Sequence, residues 1–166
     1  MTKALHHMAF RCRDSEETRR FYEDIIGIPL TASYEITETK TGRPVEVLHT
    51  FFRLTDGSHI AFFEVPDSPF EFKEQHDFDL HIALESTPMA VERAVGMAKA
   101  KGLPVRGPAD HEFIKSVYFR DPNGYVVELS LKEPDHDQWM AEEAKAAKPK
   151  LDDWTKRQRA KAKAAS

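Results

Sequence analysis

The sequence predicts an α+β fold: two strand–helix–three-strand modules forming a curved mixed sheet around a cup, followed by a charged helical tail. Three observations predict it. Short apolar-alternating segments flank single amphipathic helices in both halves. The order of elements occurs twice, with matched residues at fixed offsets. After Glu133 the composition changes to an Ala/Lys/Glu-rich run.

Leu5 to Cys12 reads as a strand with Met8, Phe10 and Cys12 on one face and His7, Ala9 and Arg11 on the other. Asp14 or Ser15 caps a helix that opens with Glu16-Glu17, carries Phe21, Tyr22, Ile25 and Ile26 on one face, and stops at Gly27. Pro29 to Ile36 and Val45 to Leu54 are strand-like, separated by a polar turn. Thr55-Asp56-Gly57-Ser58 is a hairpin turn, and Ile60 to Val65 is the returning strand. Pro66 to Asp77, with two prolines and two phenylalanines, reads as a linker or lid-like loop.

The order then repeats. Leu80 to Glu85 is a strand, Thr87-Pro88 starts a helix that ends near Gly102, and Gly107 to Asp110 reads as a loop. Phe113 to Arg120, the turn Asp121-Pro122-Asn123-Gly124, and a strand through Glu128 complete the module. His7-Met8-Ala9-Phe10 lies over His81-Ile82-Ala83-Leu84 at an offset of 74 residues, and the Gly57 turn lies over the Gly124 turn at an offset of 67. The second offset sets Ala61 opposite Glu128, Phe51 opposite Tyr118 and His49 opposite Ser116. The expected organisation is a domain over 1–132, with modules 1–66 and 78–132, and a tail over 133–166.

The composition narrows the function. A chain of 166 residues with 40% hydrophobic and 31% charged residues suits one globular domain. A net charge of −4 gives no basic field for nucleic acid. The single cysteine, Cys12, excludes an intrachain disulfide and fits a reducing compartment. With no apolar run of membrane-spanning length and no apolar leader at the N-terminus, the expectation is a cytoplasmic protein without membrane association.

If the Met8/Phe10, Ile82/Leu84 and Val127/Leu129 faces pack on helices, the opposite faces present His7, His81 and Glu128 from three strands. Two imidazoles and one carboxylate with open positions form the set that suits Fe(II), and Mn(II) or Zn(II) accept the same donors. A carboxylate within an apolar strand needs such a partner. His49 and His59 face the same way and are candidate acid–base groups; His59 is also a possible ligand if the strand is shifted. His6 is expected to point away, and His111 is a weaker candidate. Arg11 faces inward, either to pair with Glu85 across the cup or to bind a substrate carboxylate.

The span from Leu5 to about Leu131 resembles the vicinal oxygen chelate superfamily of glyoxalases, bleomycin-resistance proteins and extradiol dioxygenases. The residues that carry the likeness are His7-Met8-Ala9-Phe10, Phe21-Tyr22-Glu23-Asp24-Ile25-Ile26-Gly27, His81-Ile82-Ala83 and Tyr118-Phe119-Arg120-Asp121-Pro122-Asn123-Gly124 through Glu128. The resemblance implies paired βαβββ modules with a metal held by His7, His81 and Glu128, and a homodimer. Glyoxalases and epimerases place a fourth ligand where this chain has Ala61, which weighs against their chemistry. Fosfomycin thiol transferases carry a hydroxyl residue where this chain has Ala9 and basic residues where it is acidic after Glu128. Tyr118 matches the active-site tyrosine of extradiol enzymes.

The resulting expectation is an Fe(II)-dependent ring-cleaving dioxygenase that takes a catechol-like aromatic and O2, with Phe51 and Arg11 contacting substrate and Tyr118, His49 or His59 moving protons. A metal-dependent lyase, isomerase or thiol transferase, and a drug-binding protein without chemistry, are the alternatives. In the tail, Asp135 to Lys148 and Asp152 to Lys163 read as helices broken at Pro149, with Trp139 and Trp154 placed to dock on the body or on a second subunit.

Overall fold

The computed structural model describes residues 1–164. The first module runs β1 (His7–Cys12), α1 (Ser15–Arg19) with a π-helical continuation (Arg20–Ile26), β2 (Leu30–Glu38), β3 (Pro44–Arg53) and β4 (His59–Glu64). The second runs β5 (His81–Glu85), α2 (Pro88–Ala100), β6 (Val105–Asp110), β7 (Ile114–Arg120) and β8 (Val126–Lys132), and α3 (His136–Ala164) follows. Each module forms a four-stranded sheet, ordered β1-β4-β3-β2 and β5-β8-β7-β6, with its first strand parallel to its last. The predicted curved sheet is thus present as two sheets of identical topology.

Local chemistry accounts for the elements. The Asp14 side chain accepts from Glu17 N at 2.7 Å and caps α1. Gly27, at φ 93°, ends the helical segment, and Gly27 N and Ile28 N both donate to Tyr22 O. Thr87 caps α2 from its side chain, with Pro88 in the first turn. The register confirms the internal repeat. Phe51 pairs with Ala61 as Tyr118 pairs with Glu128, and Ala9 pairs with Ala61 as Ala83 pairs with Glu128.

Strand β6 replaces the predicted Gly107–Asp110 loop. It has no apolar alternation to announce it, and its ladder with β7 shifts between Arg106 and Ala109. As an edge strand it tolerates Pro108 and the bulge. A Cβ on Gly107 would lie 2.7 Å from Ser116 O, so only glycine lets the edge approach there.

One core serves both modules. Tyr22, Ile25, Phe52, Ile60 and Phe62 of the first are clustered with Ile82, Leu84, Val117, Val127 and Leu129 of the second. The helical segment of module one packs against α2, and Arg93 of α2 donates to Ile25 O (3.0 Å) and Asp24 O (2.9 Å) at the end of that segment. The modules are therefore joined through their helix-bearing sides. The arrangement expected from sequence, modules side by side with helices outside and both cup faces around one cavity, is not the one found within a chain. Apolar helix faces can be covered either by their own sheet alone or by the neighbouring helix as well, and here both occur.

The buried turn Asp121–Gly124 fastens the join. Asp121 accepts from Tyr22 OH (3.1 Å), Asn123 N (2.9 Å), Asn123 Nδ2 (3.0 Å) and Tyr125 N (2.8 Å). Asn123 Oδ1 takes Arg13 N, and Tyr125 OH donates to Arg11 O, both at 2.9 Å. The segment between the modules lies along this turn: Gln75 N donates to Gly124 O, and Arg120 donates to both Gln75 O and Gly124 O.

The tail departs from expectation at Pro149. Helix α3 continues through it for 29 residues. The carbonyl that Pro149 leaves without a backbone donor sits on a helix with no buried residue, open to solvent. Trp139 docks as anticipated, stacked on Phe113 at 4.0 Å between centroids, whereas Trp154 is exposed. No helix among the described residues is long and apolar enough to cross a membrane.

Gly124 has φ 95° and a Cβ placed there would overlap the Lys73 carbonyl oxygen, whereas Gly102 has φ 68° and open space. Gly102→Ala is expected to lower stability by about 1–2 kcal/mol through backbone strain alone, and Gly124→Ala by about 1–3 kcal/mol more through displacement of the 73–75 segment. Urea midpoints of the two variants measure the difference; equal losses would show that the 73–75 segment does not bear on the turn.

Candidate functional site

The cup face of module two carries His81, Ala83, Arg106, Ser116, Tyr118, Arg120, Glu128 and Ser130, set side by side by the strand register. Ala83, the β5 neighbour of Glu128, is small enough to leave the carboxylate open toward His81. Glu128 is 5% exposed. Its Oε1 accepts from Ser116 Oγ at 2.5 Å and from Ser130 Oγ at 2.9 Å, which fixes the plane of the carboxylate. Its Oε2 takes neither hydroxyl and faces His81 Nε2 at 3.6 Å.

His81 is oriented in the same manner. Its Nδ1 lies 2.6 Å from Asp77 O, and because a carbonyl only accepts, Nδ1 carries the proton. In the neutral ring Nε2 then presents a lone pair. Two acceptors facing each other at a distance too long for a hydrogen bond form a seat for a cation. The Ser–carboxylate and carbonyl–imidazole contacts behind them are the outer supports that metal ligands require. The residues fit a divalent metal as two of its ligands.

Tyr118 borders Glu128 in the register, and its OH lies 2.8 Å from His111 Nε2. Burial, reinforced by the charge of Glu128, pushes the phenol above its ordinary pKa, so it is protonated throughout the neutral range. The Arg106 guanidinium lies over the Tyr118 ring at 4.5 Å and pairs with Asp77. Around these groups is an open cavity of about 1090 Å³ that also reaches Phe78, Phe113 and Arg120.

His7 is not in this cavity. It stands exposed at the start of β1, on the cup face of the other sheet, beside His59 in the register. Its ring meets Phe51 at 5.5 Å and His49 at 6.4 Å, and its Nδ1 is 2.7 Å from that of His6. His6, expected to point away, is thus in contact with the cup face. His49 is buried, stacked on Phe63 at 3.6 Å, and donates from Nδ1 to Phe62 O at 2.9 Å. Burial lowers its pKa below the ordinary imidazole value, which keeps it neutral. His59 Nδ1 is buried with no hydrogen-bond partner.

Of the predicted ligands, one chain therefore unites His81 and Glu128 and leaves His7 on a second, aromatic half-cup. Among the described residues no group of three or more His, Cys, Asp or Glu gathers as a metal-holding cluster. Arg11 is not free for a substrate, nor paired with Glu85. It donates to Val65 O (3.2 Å) and Ser68 O (2.8 Å), and Glu85 pairs with Lys132. Sequence reasoning missed the roles of Ser116 and Ser130, although both are placed on the Glu128 face by alternation and repeat offset. It missed Arg106 because β6 has no strand-like pattern.

The Glyoxalase/Bleomycin resistance protein/Dioxygenase superfamily matches residues 4–129. Among solved structures, a glyoxalase/dioxygenase from Nostoc punctiforme is 25% identical, with a TM-score of 0.58 over 79% of this chain and 92% of that one. A glyoxylase/bleomycin resistance protein/dioxygenase domain from Frankia sp. EAN1pec is 17% identical, with a TM-score of 0.62 over 80% and 100%. A mutant of the fosfomycin resistance protein FosX from Listeria monocytogenes, complexed with Mn(II) and 1S,2S-dihydroxypropylphosphonic acid, is 22% identical, with a TM-score of 0.58 over 83% and 99%. The curated proteins contain no match.

Ser116→Ala and Ser130→Ala each remove a hydroxyl from Glu128 Oε1 and are expected to weaken Mn(II) binding by about 10–100-fold. Glu128→Gln is expected to abolish it. Calorimetric titration measures both, and serine variants that bind Mn(II) as the parent does would exclude an orienting role.

Proposed function

Because the chain belongs to the glyoxalase/bleomycin resistance protein/dioxygenase superfamily, we propose that it is a divalent-metal-dependent enzyme whose centre is built from two copies. His81 and Glu128 come from one copy and His7 from the other. The observation that carries this reading is the facing pair of acceptors, His81 Nε2 and Glu128 Oε2, 3.6 Å apart and each held from behind. It is joined by the placement of His7 on an exposed half-cup of its own.

The substrate class is a catechol-like aromatic, opened by O2 in extradiol fashion. The half-cup of His7 is lined by rings, with Phe51, Tyr34, Phe63 and His49 in mutual contact. Such a surface favours a flat, apolar ligand over a small charged one. Bound to this donor set, Fe(II) supplies Lewis acidity toward two adjacent oxygens and the redox capacity that O2 requires. The chain's own residues do the rest. The neutral Tyr118 phenol donates a hydrogen bond or a proton to an oxygen of the bound ring, and His111 Nε2 holds that phenol in place. Neutral His49, with Nδ1 committed to Phe62 O, has its Nε2 lone pair available to take a hydroxyl proton. Both atoms of O2 enter the product, so no external reductant is needed.

A second reading is Lewis-acid opening of a small oxygen-bearing substrate, favoured by the likeness to the Mn(II)-bound FosX structure. The cavity cations weigh against a phosphonate. Arg106 is paired with Asp77, and Arg120 donates to two backbone carbonyls.

Protein reconstituted anaerobically with Fe(II) is expected to consume O2 with a catechol and yield a ring-fission chromophore, with loss of both in His81→Ala and Glu128→Ala. Turnover of an epoxide with Mn(II) and no O2 uptake would replace this reading with the second. Mixing inactive His7→Ala and His81→Ala proteins, with exchange of subunits, is expected to restore about a quarter of the sites, because a mixed dimer holds one intact set of ligands. Absence of any recovery after verified exchange would exclude a centre shared between copies.

A further inference from the structure

Helix α3 has a partner requirement that the body does not meet. It is 29 residues long with no buried residue, and it is anchored near its start by the Trp139–Phe113 stack. Helices of this kind owe their stability mainly to packing of an apolar stripe. Such a stripe exists on a different face from Trp139. Met140, Ala144, Ala147, Leu151 and Trp154 recur at alternating spacings of four and three residues, a two-position heptad seam. All are exposed, Met140 by 46%, Leu151 by 58% and Trp154 by 56%. Pro149, the one residue unsuited to a helix interior, falls on the side opposite the seam.

We infer that α3 pairs antiparallel with α3 of a second copy of this chain through the Met140–Trp154 seam. Two features select this occupant and this direction. In an antiparallel register, Trp154 lies against Ala144 and Leu151 against Ala147, so each large side chain meets a small one along the contact. The flanking charges also match. The first half of the helix carries Asp137, Glu142 and Glu143, and the end carries Lys156, Arg157, Arg159 and Lys161. Antiparallel pairing sets Asp137 near Lys161 and Glu142 near Lys156, whereas parallel pairing would place like ends together. Within the chain Lys145, Lys148, Lys150 and Arg157 already pair with Glu142, Asp152, Glu143 and Asp153, so Lys156, Arg159 and Lys161 are the cations that the acidic start of the partner helix meets. The pairing goes beyond the proposed activity and uses none of its residues.

Spin labels report it in the full chain. Cys12 is buried, its thiol pushed up to about 11 by burial, so a cysteine at Lys148→Cys or Lys156→Cys labels selectively. Labels at 148 are expected to lie across the pair from each other, near the interaxial separation of about 8–10 Å. Labels at 156 are expected about 21 Å apart along the axis, at 1.5 Å per residue. Leu151→Glu with Trp154→Glu is expected to remove both couplings, and His7→Ala to leave them, which separates failure of the helix pair from failure of a shared centre. Short distances at both positions would mean a parallel pair and overturn the inference. Absence of coupling would also overturn it, including the case in which the helix is protected only by added anionic vesicles or duplex DNA.

Discussion

Asp121 is the constraint on which the arrangement rests. Its carboxylate is buried, and desolvation raises its pKa, so the charged form costs stability as pH rises through that raised value. Four hydrogen-bond donors offset the cost, and one of them, Tyr22 OH, comes from the helix of the other module. Tyr22 is fully buried, so neither partner can turn to water. The equivalent turn of module one has Leu54 at the position of Asp121 and nothing to anchor. The join is therefore specified by one module's turn gripping the other module's helix, with Asn123 and Tyr125 adding contacts to the strand that ends at Cys12.

That join decides where chemistry can occur. Once the helix-bearing sides share a core, the two cup faces lie outside it, and among the described residues His7 gathers with neither His81 nor Glu128 into a cluster of ligands. What remains on module two is a carboxylate with one oxygen held and one presented. Its held oxygen takes both serine hydroxyls and its other oxygen faces His81, the geometry on which the proposed metal centre rests.

Much of this was legible in the chain. Alternation placed His81, Glu128 and Tyr118, and likewise His7, His49, His59 and Phe51, on the cup-facing sides of their strands, and the repeat offsets correctly matched Ala61 with Glu128; it also put all of them around one cavity, which the chain divides between two sheets. The reasons for the remainder are physical. β6 is an edge strand, where pairing through the backbone does not require an apolar pattern. α3 passes Pro149 because its exposed carbonyls need no internal donor there. Arg11 has the face assigned to it, but its guanidinium is drawn to the carbonyls of the 65–68 segment, a contact that no periodicity encodes. The choice between modules side by side and helix against helix depends on which apolar faces meet, and hydrophobic pattern alone is the same for both.

The duplication also explains why the two half-cups differ. Positions equivalent to Glu128, Tyr118 and Ser116 hold Ala61, Phe51 and His49, so one module keeps the charge and hydroxyls while the other has rings. A metal needs its ligands held rigidly by hydrogen bonds, and a planar ligand needs a surface without competing polar groups. Combining both on one strand set would place the aromatic floor and the hydroxyl supports in the same positions. Dividing them between modules removes that conflict. In the proposed centre the same division makes the complete site a property of two chains, since each chain has the held carboxylate and His81 on one sheet and the rings with His7 on the other.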